Sequence, residues 1–280
     1  MSAGEAKTLG ELLGGAPAEF CGCCPTTPIT HMAVDSRKVR EGSVFVAIAG
    51  ATHDGHAYLK QAQAAGAAVV VVTRGRCPAP DMPHVWLDDT AQHAPQMAAN
   101  AYRHPGSSLR LAGVTGTNGK TTTTHLLAAM LTAGGRRFAR LGTAGDWIVD
   151  HTRSSTFTTP FPLELQALLR EVVERGGEDV VMEVSSHALA QGRVQPLLYQ
   201  AVGLTSFSQD HLDFHGDMAS YQQAKIQLAE HHLAASGVAV SVVDECPAGE
   251  AFLAAAAIVG AKTWAVSQRP ESRAPLRISR

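Results

Sequence analysis

The stretch GVTGTNGKTTTT, Gly113 to Thr124, decides how the rest of the chain is read. Glycines followed by a lysine and a row of hydroxyls mark a turn whose backbone amides can face one anion. The common phosphate-loop spacing, G-x-x-x-x-G-K-[ST], needs a glycine where Val114 stands; the nearest glycines are Gly113 and Gly116. The physical logic survives the altered spacing. LRLAGV (Leu109–Val114) predicts a strand before the loop, and TTTTHLLAAMLTAGG predicts a helix after it, stopped by Gly134 and Gly135. Strand, glycine turn and helix N-terminus together point to a nucleotide held by Gly116, Thr117, Asn118, Gly119, Lys120, Thr121 and Thr122. Lys120 can reach the terminal phosphates, and the Thr121 hydroxyl can ligate Mg²⁺. An ordinary strand–helix turn has no need of a Lys-Thr pair here.

On both sides of this loop, apolar runs alternate with helical stretches. Before it, SVFVAI (Ser43–Ile48) and AVVVVT (Ala68–Thr73) read as strands, HAYLKQAQAAG as a helix ending at Gly66, and Thr90–Tyr102 as another helix. RHPGSS, Arg103 to Ser108, breaks the pattern and reads as a linker. Beyond the loop, Leu165, Leu168, Leu169, Val172 and Val173 form one face of a helix starting near Pro162. DVVMEV (Asp179–Val184), AVGLTSF (Ala201–Phe207), GVAVSVV (Gly237–Val243) and KTWAV (Lys262–Val266) read as strands. SYQQAKIQLAEHHL and GEAFLAAAAIV read as the helices between them. The closing SQRPESRAPLRISR is polar and unpatterned, like a frayed tail. The alternation predicts an α/β protein with a small N-terminal α/β domain over residues 1–107. A mostly parallel, phosphate-loop-type central domain, itself incomplete, follows over residues 108–280. Ligands are expected at the carboxyl ends of the strands.

Composition narrows the function classes. The 280 residues are 45% hydrophobic with a formal net charge of -2, which gives no electrostatic case for nucleic acid or an anionic membrane as main partner. No apolar run long enough for a membrane span occurs, and the start MSAGEAKTLGELLGG lacks the pattern of a secretory signal. Three of five cysteines, Cys21, Cys23 and Cys24, lie in CGCCP. A zinc site usually takes a second pair of ligands, and none is spaced for it, so reduced thiols in a cytoplasmic protein are the expectation.

At this point the residues resemble a known family. TGTNGKTTT is similar to the ATP loop of the Mur ligases and the related folylpolyglutamate synthetases. DSRKVREGSVFVAIAGATHDGHAYLKQAQAAGAAVVVV (Asp35–Val72) resembles the amino-terminal domain of the Mur ligases that act as UDP-N-acetylmuramoyl-tripeptide synthetases. TTPFPLELQALL, EVSSHALAQGRV, DHLDFHG and YQQAK follow in that family's order. The resemblance implies an ATP-dependent amide-bond ligase of peptidoglycan synthesis, adding the third amino acid to UDP-MurNAc-L-Ala-D-Glu through an acyl phosphate. The incoming amino acid would be meso-diaminopimelate or lysine.

The resemblance also implies roles. Thr121 and Glu183 match the family's first metal site and His211 a ligand of the second. Lys225 matches a lysine carbamylated by CO₂, which replaces a cation that would repel magnesium with an anionic oxygen ligand. Lys120, His211 and Lys225 are thus the expected catalytic set. Ser36 matches a contact to the uridine diphosphate end of the substrate. Thr158, Thr159, Ser185, Gln191 and Arg193 match contacts to the muramoyl-peptide, where hydroxyls and a guanidinium suit phosphate and carboxylate oxygens.

Five positions depart from the pattern. Phe157, Ser206 and Gln209 replace common Asn, Asn and Arg residues, while Ser241 and Val243 replace the Asn and first Asp of an N-x-D-D signature whose Asp244 remains. The chain is also expected to stop before the family's third domain, as a fragment of a longer ligase, a chain that needs a separate partner to supply that domain, or a non-catalytic relative would. Two other readings stay open: a catalytically silent relative that binds ATP or UDP-sugar, and another ligase with this loop, such as a folylpolyglutamate synthetase.

Overall fold

A computed structural model describes residues 7–50, 53–77, 81–244, 246–267 and 276–277. The chain divides into two compact units, Met1–His104 with Pro162–Ala167, and Pro105–Phe161 with Leu168–Arg280.

The first unit is built on a five-stranded sheet in the order Glu19–Cys21, His84–Leu87, Ala67–Thr73, Ser43–Val46, His31–Ala33. Only the Glu19–Cys21 edge runs antiparallel. Alternation along the strands divides the core. Val44, Val46, Val69 and Val71 pack on one face with Leu9, Leu12 and Met97, while Phe45, Val70 and Val72 pack on the other with Ala62. The helix expected from His56 is a 3-10 turn, Gly55–Tyr58, followed by a short α-helix, Leu59–Ala64. The Asp54 side chain caps that turn by accepting from the His56 N–H, and Gly66 (φ +93°) ends the segment as expected. The Leu9–Leu13 helix was not anticipated. It is opened by a capping box between Thr8 and Glu11 and closed by Gly14 at φ +61°. The linker expected at Arg103–Ser108 holds a 3-10 turn over Pro105–Ser108, preceded by positive φ at Arg103 and His104.

Asn100 anchors the helix Thr90–Ala101 to the Leu9–Leu13 helix. Its Nδ2 donates to the Leu12 carbonyl at 2.9 Å, and its Oδ1 receives Gln96 Nε2 at 2.9 Å. His104 Nε2 lies 2.8 Å from the same oxygen. The Leu12 carbonyl is one of those a helix end leaves without an intrahelical partner.

The second unit holds a nine-stranded sheet in the order His151–Arg153, Asp146–Ile148, Phe138–Leu141, Asp179–Glu183, Arg110–Thr115, Tyr199–Leu204, Leu233–Val242, Lys262–Ser267, Leu276–Arg277. The seven strands from Phe138–Leu141 onward run parallel, as expected. The hairpin Asp146–Ile148/His151–Arg153 extends the sheet with antiparallel pairing that the sequence reading did not anticipate. Its strands are three residues long, too short to show alternation. The tail reading is corrected at Leu276–Arg277, which pair in parallel with Val266 and Ser267; most of the tail lies outside the described residues. The strand expected to reach Phe207 stops at Leu204, where the chain turns toward the glycine loop. The helix Pro162–Glu174 buries Leu165, Leu168, Leu169 and Val172, while Val173 lies half-buried beside that stripe.

Replacing Asn100 with alanine strands the Leu12 carbonyl and removes the acceptor of Gln96. Asn100→Ala should lower stability by about 1–3 kcal/mol. Urea unfolding followed by circular dichroism checks this, and an unchanged midpoint would show the contact to be dispensable.

Candidate active site

The loop strand Arg110–Thr115 lies between Asp179–Glu183 and Tyr199–Leu204, so the loop leaves the sheet at the carboxyl ends of three parallel strands. Gly116 has φ +143°, and a Cβ there would lie 2.1 Å from Thr205 Oγ1. Only glycine permits both the conformation and the approach. The residues after Leu204 hold the loop from behind. Thr117 N donates to the Ser206 carbonyl at 2.9 Å, and the single Thr205 hydroxyl proton lies between the carbonyls of Asn118 (2.6 Å) and Thr115 (3.1 Å), the shorter contact being to Asn118. Gly119 (φ +88°) turns the chain into the helix Lys120–Ala133, whose N-terminus carries no side-chain cap. Lys120 Nζ donates to the carbonyls of Gly116 (2.8 Å) and Thr117 (3.0 Å). Burial lowers its pKa, opposed by Glu183 and Asp210.

Glu183 ends its strand 1% exposed. Its two oxygens receive the Thr121 hydroxyl at 3.0 and 2.9 Å, and Oε1 also receives the Thr143 N–H at 3.0 Å. The backbone opposite must come close. A Cβ on Gly142 would sit 2.2 Å from Glu183 Oε1.

The expected substrate residues of this unit meet beside Glu183. Thr143 Oγ1 donates to Thr158 Oγ1 at 2.9 Å, and Thr159 Oγ1 donates to the Glu183 carbonyl at 2.9 Å while receiving Ser185 N at 3.0 Å. Ser185 caps the helix Ser186–Ala190. Arg193 Nη1 donates to the Thr159 carbonyl at 3.2 Å and Nε to Gln191 Oε1 at 2.8 Å. Its guanidinium lies 3.9 Å from the Phe161 ring centroid. Burial lowers the Arg193 pKa.

His211 and Lys225 occupy a second cluster. His211 adopts φ +53° at the start of the helix Leu212–His215. Its ring lies 4.7 Å from His187 and 6.1 Å from Tyr221, centroid to centroid. Lys225 is 2% exposed on the helix Met218–His231, its Nζ 4.4 Å from the centre of the Tyr221 ring. Burial, reinforced by Lys120 and opposed by Asp210, pulls the Lys225 pKa down to about 7. His187 and His215 are likewise lowered, first by burial. The Tyr221 hydroxyl lies 3.1 Å from Thr117 Oγ1 in the loop. Thr121 and Glu183 are therefore in direct contact, while His211 and Lys225 each lie near the Tyr221 ring rather than against that pair. Among the described residues no group of three His, Cys, Asp or Glu side chains is placed to hold a metal. Any metal here must take hydroxyl, lysine-derived, substrate or water ligands as well.

Ser36 belongs to the first unit. It opens a 3-10 turn capped by Asp35, and its hydroxyl donates to Gln61 Oε1 at 3.0 Å. Val34, Asp35, Ser36, Tyr58 and Gln61 help to line a cavity of about 530 Å³. Arg37, bonded to both Asp35 oxygens at 2.9 and 2.8 Å, holds that carboxyl below its ordinary range. Cys21, Cys23 and Cys24 are free thiols.

Three of the five departures have a structural reading. The Ser206 hydroxyl accepts from Asn118 N at 2.9 Å and donates to the Asn118 carbonyl at 3.0 Å. Phe157 packs edge-on against Phe161 at 4.9 Å, in the aromatic pair that flanks Arg193. Ser241 is 1% exposed, and its hydroxyl turns to the Val242 carbonyl at 3.2 Å. Beside Val243, Asp244 accepts a hydrogen bond from Ser267. Nothing explains Val243 or Gln209, the latter exposed. Sequence reasoning missed Thr143, Thr205, Ser208 and Tyr221, which hold Glu183 and the loop. Tyr221 alone had a signal, four residues before Lys225 and so on the same helix face.

The description "Mur ligase middle domain" matches residues 114–277, and "Mur ligase family, catalytic domain" matches residues 28–102. A UDP-N-acetylmuramoyl-L-alanyl-D-glutamate–2,6-diaminopimelate ligase of Bacillus cereus is 43% identical over 197 residues, covering 70% of this chain and 40% of that protein. The Gloeobacter violaceus protein of the same name is 42% identical over 205 residues, covering 73% of this chain and 42% of its own length. A solved structure of a ligase with this name superposes with a TM-score of 0.79 at 26% identity, covering 96% of this chain and 54% of that one. The chain thus spans roughly two fifths to one half of the length of the relatives it matches. With the middle-domain description alone extending over residues 114–277 of 280, the chain belongs to the Mur ligase family.

Proposed function

We propose that this chain carries the nucleotide- and UDP-substrate-binding part of an ATP-dependent ligase, adding the third amino acid to UDP-MurNAc-L-Ala-D-Glu in the cytoplasm. Residues 1–107 serve as the UDP-substrate domain and 108–280 as the ATP-binding domain. The observation that carries this reading is the Thr121–Glu183 pair, a hydroxyl and a buried carboxylate joined at the head of the loop helix. Hard oxygen donors at this position suit Mg²⁺. A magnesium ion bound there would neutralise charge on the transferred phosphoryl group.

The side chains supply the remaining demands of phosphoryl and acyl transfer. Loop amides and Lys120 hold the triphosphate, with Lys120 exchanging carbonyl partners for phosphate oxygens. Arg193, fixed by Thr159, Gln191 and the Phe161 ring, presents its remaining N–H groups to the muramoyl-peptide carboxylate. Thr158 and Ser185 flank that position. The dipeptide carboxylate attacks the γ-phosphate to give an acyl phosphate and ADP. The amine of diaminopimelate or lysine then displaces phosphate. The names of the relatives favour diaminopimelate. Ser36, beside its cavity, receives the uridine diphosphate end.

Lys225 suits carbamylation. It is buried and, among the described residues, donates no hydrogen bond, so CO₂ would meet an amine held by one ring contact. A silent binding module remains the competing reading, on the strength of Ser206 and Val243. The paired bonds between Ser206 and Asn118 weaken it, because they keep the loop braced despite the substitution.

Any phosphate release from Mg–ATP by the chain should require both UDP-MurNAc-L-Ala-D-Glu and meso-diaminopimelate, and the chain by itself should bind Mg–ATP and UDP-MurNAc-L-Ala-D-Glu in calorimetric titration. Mg–ATP binding without any binding of UDP-MurNAc-L-Ala-D-Glu would move the assignment to a silent nucleotide-binding module. Lys120→Ala should weaken Mg–ATP binding by about 10- to 100-fold in calorimetric titration, from the loss of charge-assisted hydrogen bonds. Equal affinity in wild type and variant would remove Lys120 from the phosphate site. With ¹³C-bicarbonate, the wild type should show a carbamate carbon resonance that Lys225→Arg lacks; identical spectra would reject carbamylation.

A further inference from the structure

Thr117 sits at the tip of the phosphate loop with its side chain in a saturated network. Its hydroxyl oxygen lies 3.1 Å from the Ser208 carbonyl, 3.0 Å from the Ser208 N–H that donates to it, and 3.1 Å from the Tyr221 hydroxyl. A threonine hydroxyl has one proton and two lone pairs. With the proton directed to the Ser208 carbonyl and one lone pair taken by Ser208 N–H, the second lone pair receives the Tyr221 O–H. Tyr221 is therefore the donor. Burial raises the pKa of its phenol and keeps that proton in place.

The ring beneath this hydroxyl is fully buried and held on several sides. Phe207 stacks on it at 5.3 Å, His215 lies at 5.1 Å, and Lys225 Nζ stands 4.4 Å from its centre. Tyr221 and Lys225 are four residues apart and share one face of the helix Met218–His231. Other clamps on the loop come from Thr205, Ser206 and Ser208, in the connection after a strand. Among the described residues, the Tyr221 bond is the one hydrogen bond joining the helix that bears Lys225 to the loop.

We propose that Tyr221 is a positioning residue: its hydroxyl ties Thr117 of the phosphate loop to the helix bearing Lys225, so that phosphate capture by the loop orders that helix and sets the lysine. The inference rests on the nucleotide-binding reading of the loop and deepens it by naming the connection between the loop and the second cluster. A phosphate that settles on the loop amides fixes Thr117, and fixing Thr117 fixes the phenol. The phenol ring packs against the end of the Lys225 side chain, whose Nζ stands 4.4 Å from its centre, so the ring sets where that side chain can lie.

Mg–ADP titration of the whole chain tests the tie. Tyr221→Phe keeps the ring and removes only the hydroxyl, so the urea midpoint should stay near that of wild type while Mg–ADP affinity falls about three- to tenfold. Thr117→Val should weaken binding similarly, and the double variant should be no weaker than the worse single one. Amide hydrogen exchange reads the coupling directly. Mg–ADP should slow exchange across Met218–His231 in the wild type, whereas in Tyr221→Phe the slowing should stay within the loop and its own helix. Unchanged affinity in Tyr221→Phe, losses that multiply in the double variant, or the same slowing of the lysine helix without the hydroxyl would each overturn the proposal. A wild-type chain that fails to bind Mg–ADP would instead overturn the nucleotide reading, and this inference with it.

Discussion

The approach of backbone to side chain at two glycines governs this site. Gly116 brings the phosphate loop against Thr205, and Gly142 brings the next strand's end against Glu183, each so close that a Cβ would lie 2.1 or 2.2 Å from an oxygen. Both contacts form at the carboxyl ends of parallel strands, where main-chain N–H and C=O groups leave the ladder and need new partners. Hydroxyl residues provide them. Thr205 and Ser206 bind the loop carbonyls, and Thr143 closes on Glu183 from the opposite side. Glu183 is thereby held between the loop helix and the neighbouring strand, and its position follows from the sheet rather than from its own rotamer freedom.

This construction separates two kinds of polar group. Thr121 and Glu183 satisfy each other directly, a compact pair available to a hard cation. Lys225 is placed differently: buried, with a ring face as its contact and no hydrogen bond among the described residues. Desolvation of a lone ammonium is costly, and the fall of its pKa to about 7 expresses that cost. Lys120 lowers it further and is itself lowered by burial. Two lysines near one loop make an arrangement that anionic phosphate would relieve. Under the proposed reading, the resting geometry stores a demand for negative charge on the side where nucleotide would enter.

Much of the fold was legible because the strands are long, apolar and separated by helices with clear stops. Val69 to Val72 could be read as a strand buried on both faces, and Gly134 with Gly135 ended the loop helix as read. The two-residue strand Leu276–Arg277 and the three-residue strands of the hairpin carry no period of their own. Their pairing is set by the neighbouring strand, which a local reading does not contain. The site divides on similar lines. Lys120, Thr121 and the loop glycines form a local motif, so their chemistry could be inferred from adjacent residues. Thr143 and Thr205 act through contacts across 40 and 87 positions of chain. No spacing rule announces these, and a threonine is an ordinary residue in either place.

The departures from the family pattern show which property each position has to supply. Ser206 stands where an asparagine is common, yet its hydroxyl both accepts from the Asn118 N–H and donates to the Asn118 carbonyl. A hydroxyl has the donor and the lone pairs needed for that pairing, so the requirement is a short group that can serve both ends of one peptide unit. Phe157 departs in another direction. It cannot hydrogen-bond, but it packs against Phe161, which itself lies 3.9 Å from the Arg193 guanidinium. Position 157 can thus orient the arginine through the adjoining ring where a polar residue would do so through a hydrogen bond. Val243 supplies neither, and the carboxylate chemistry of that segment rests on Asp244, bound to Ser267 of the adjacent strand. The loop bracing and the arginine's own contacts are kept while the residues around them change.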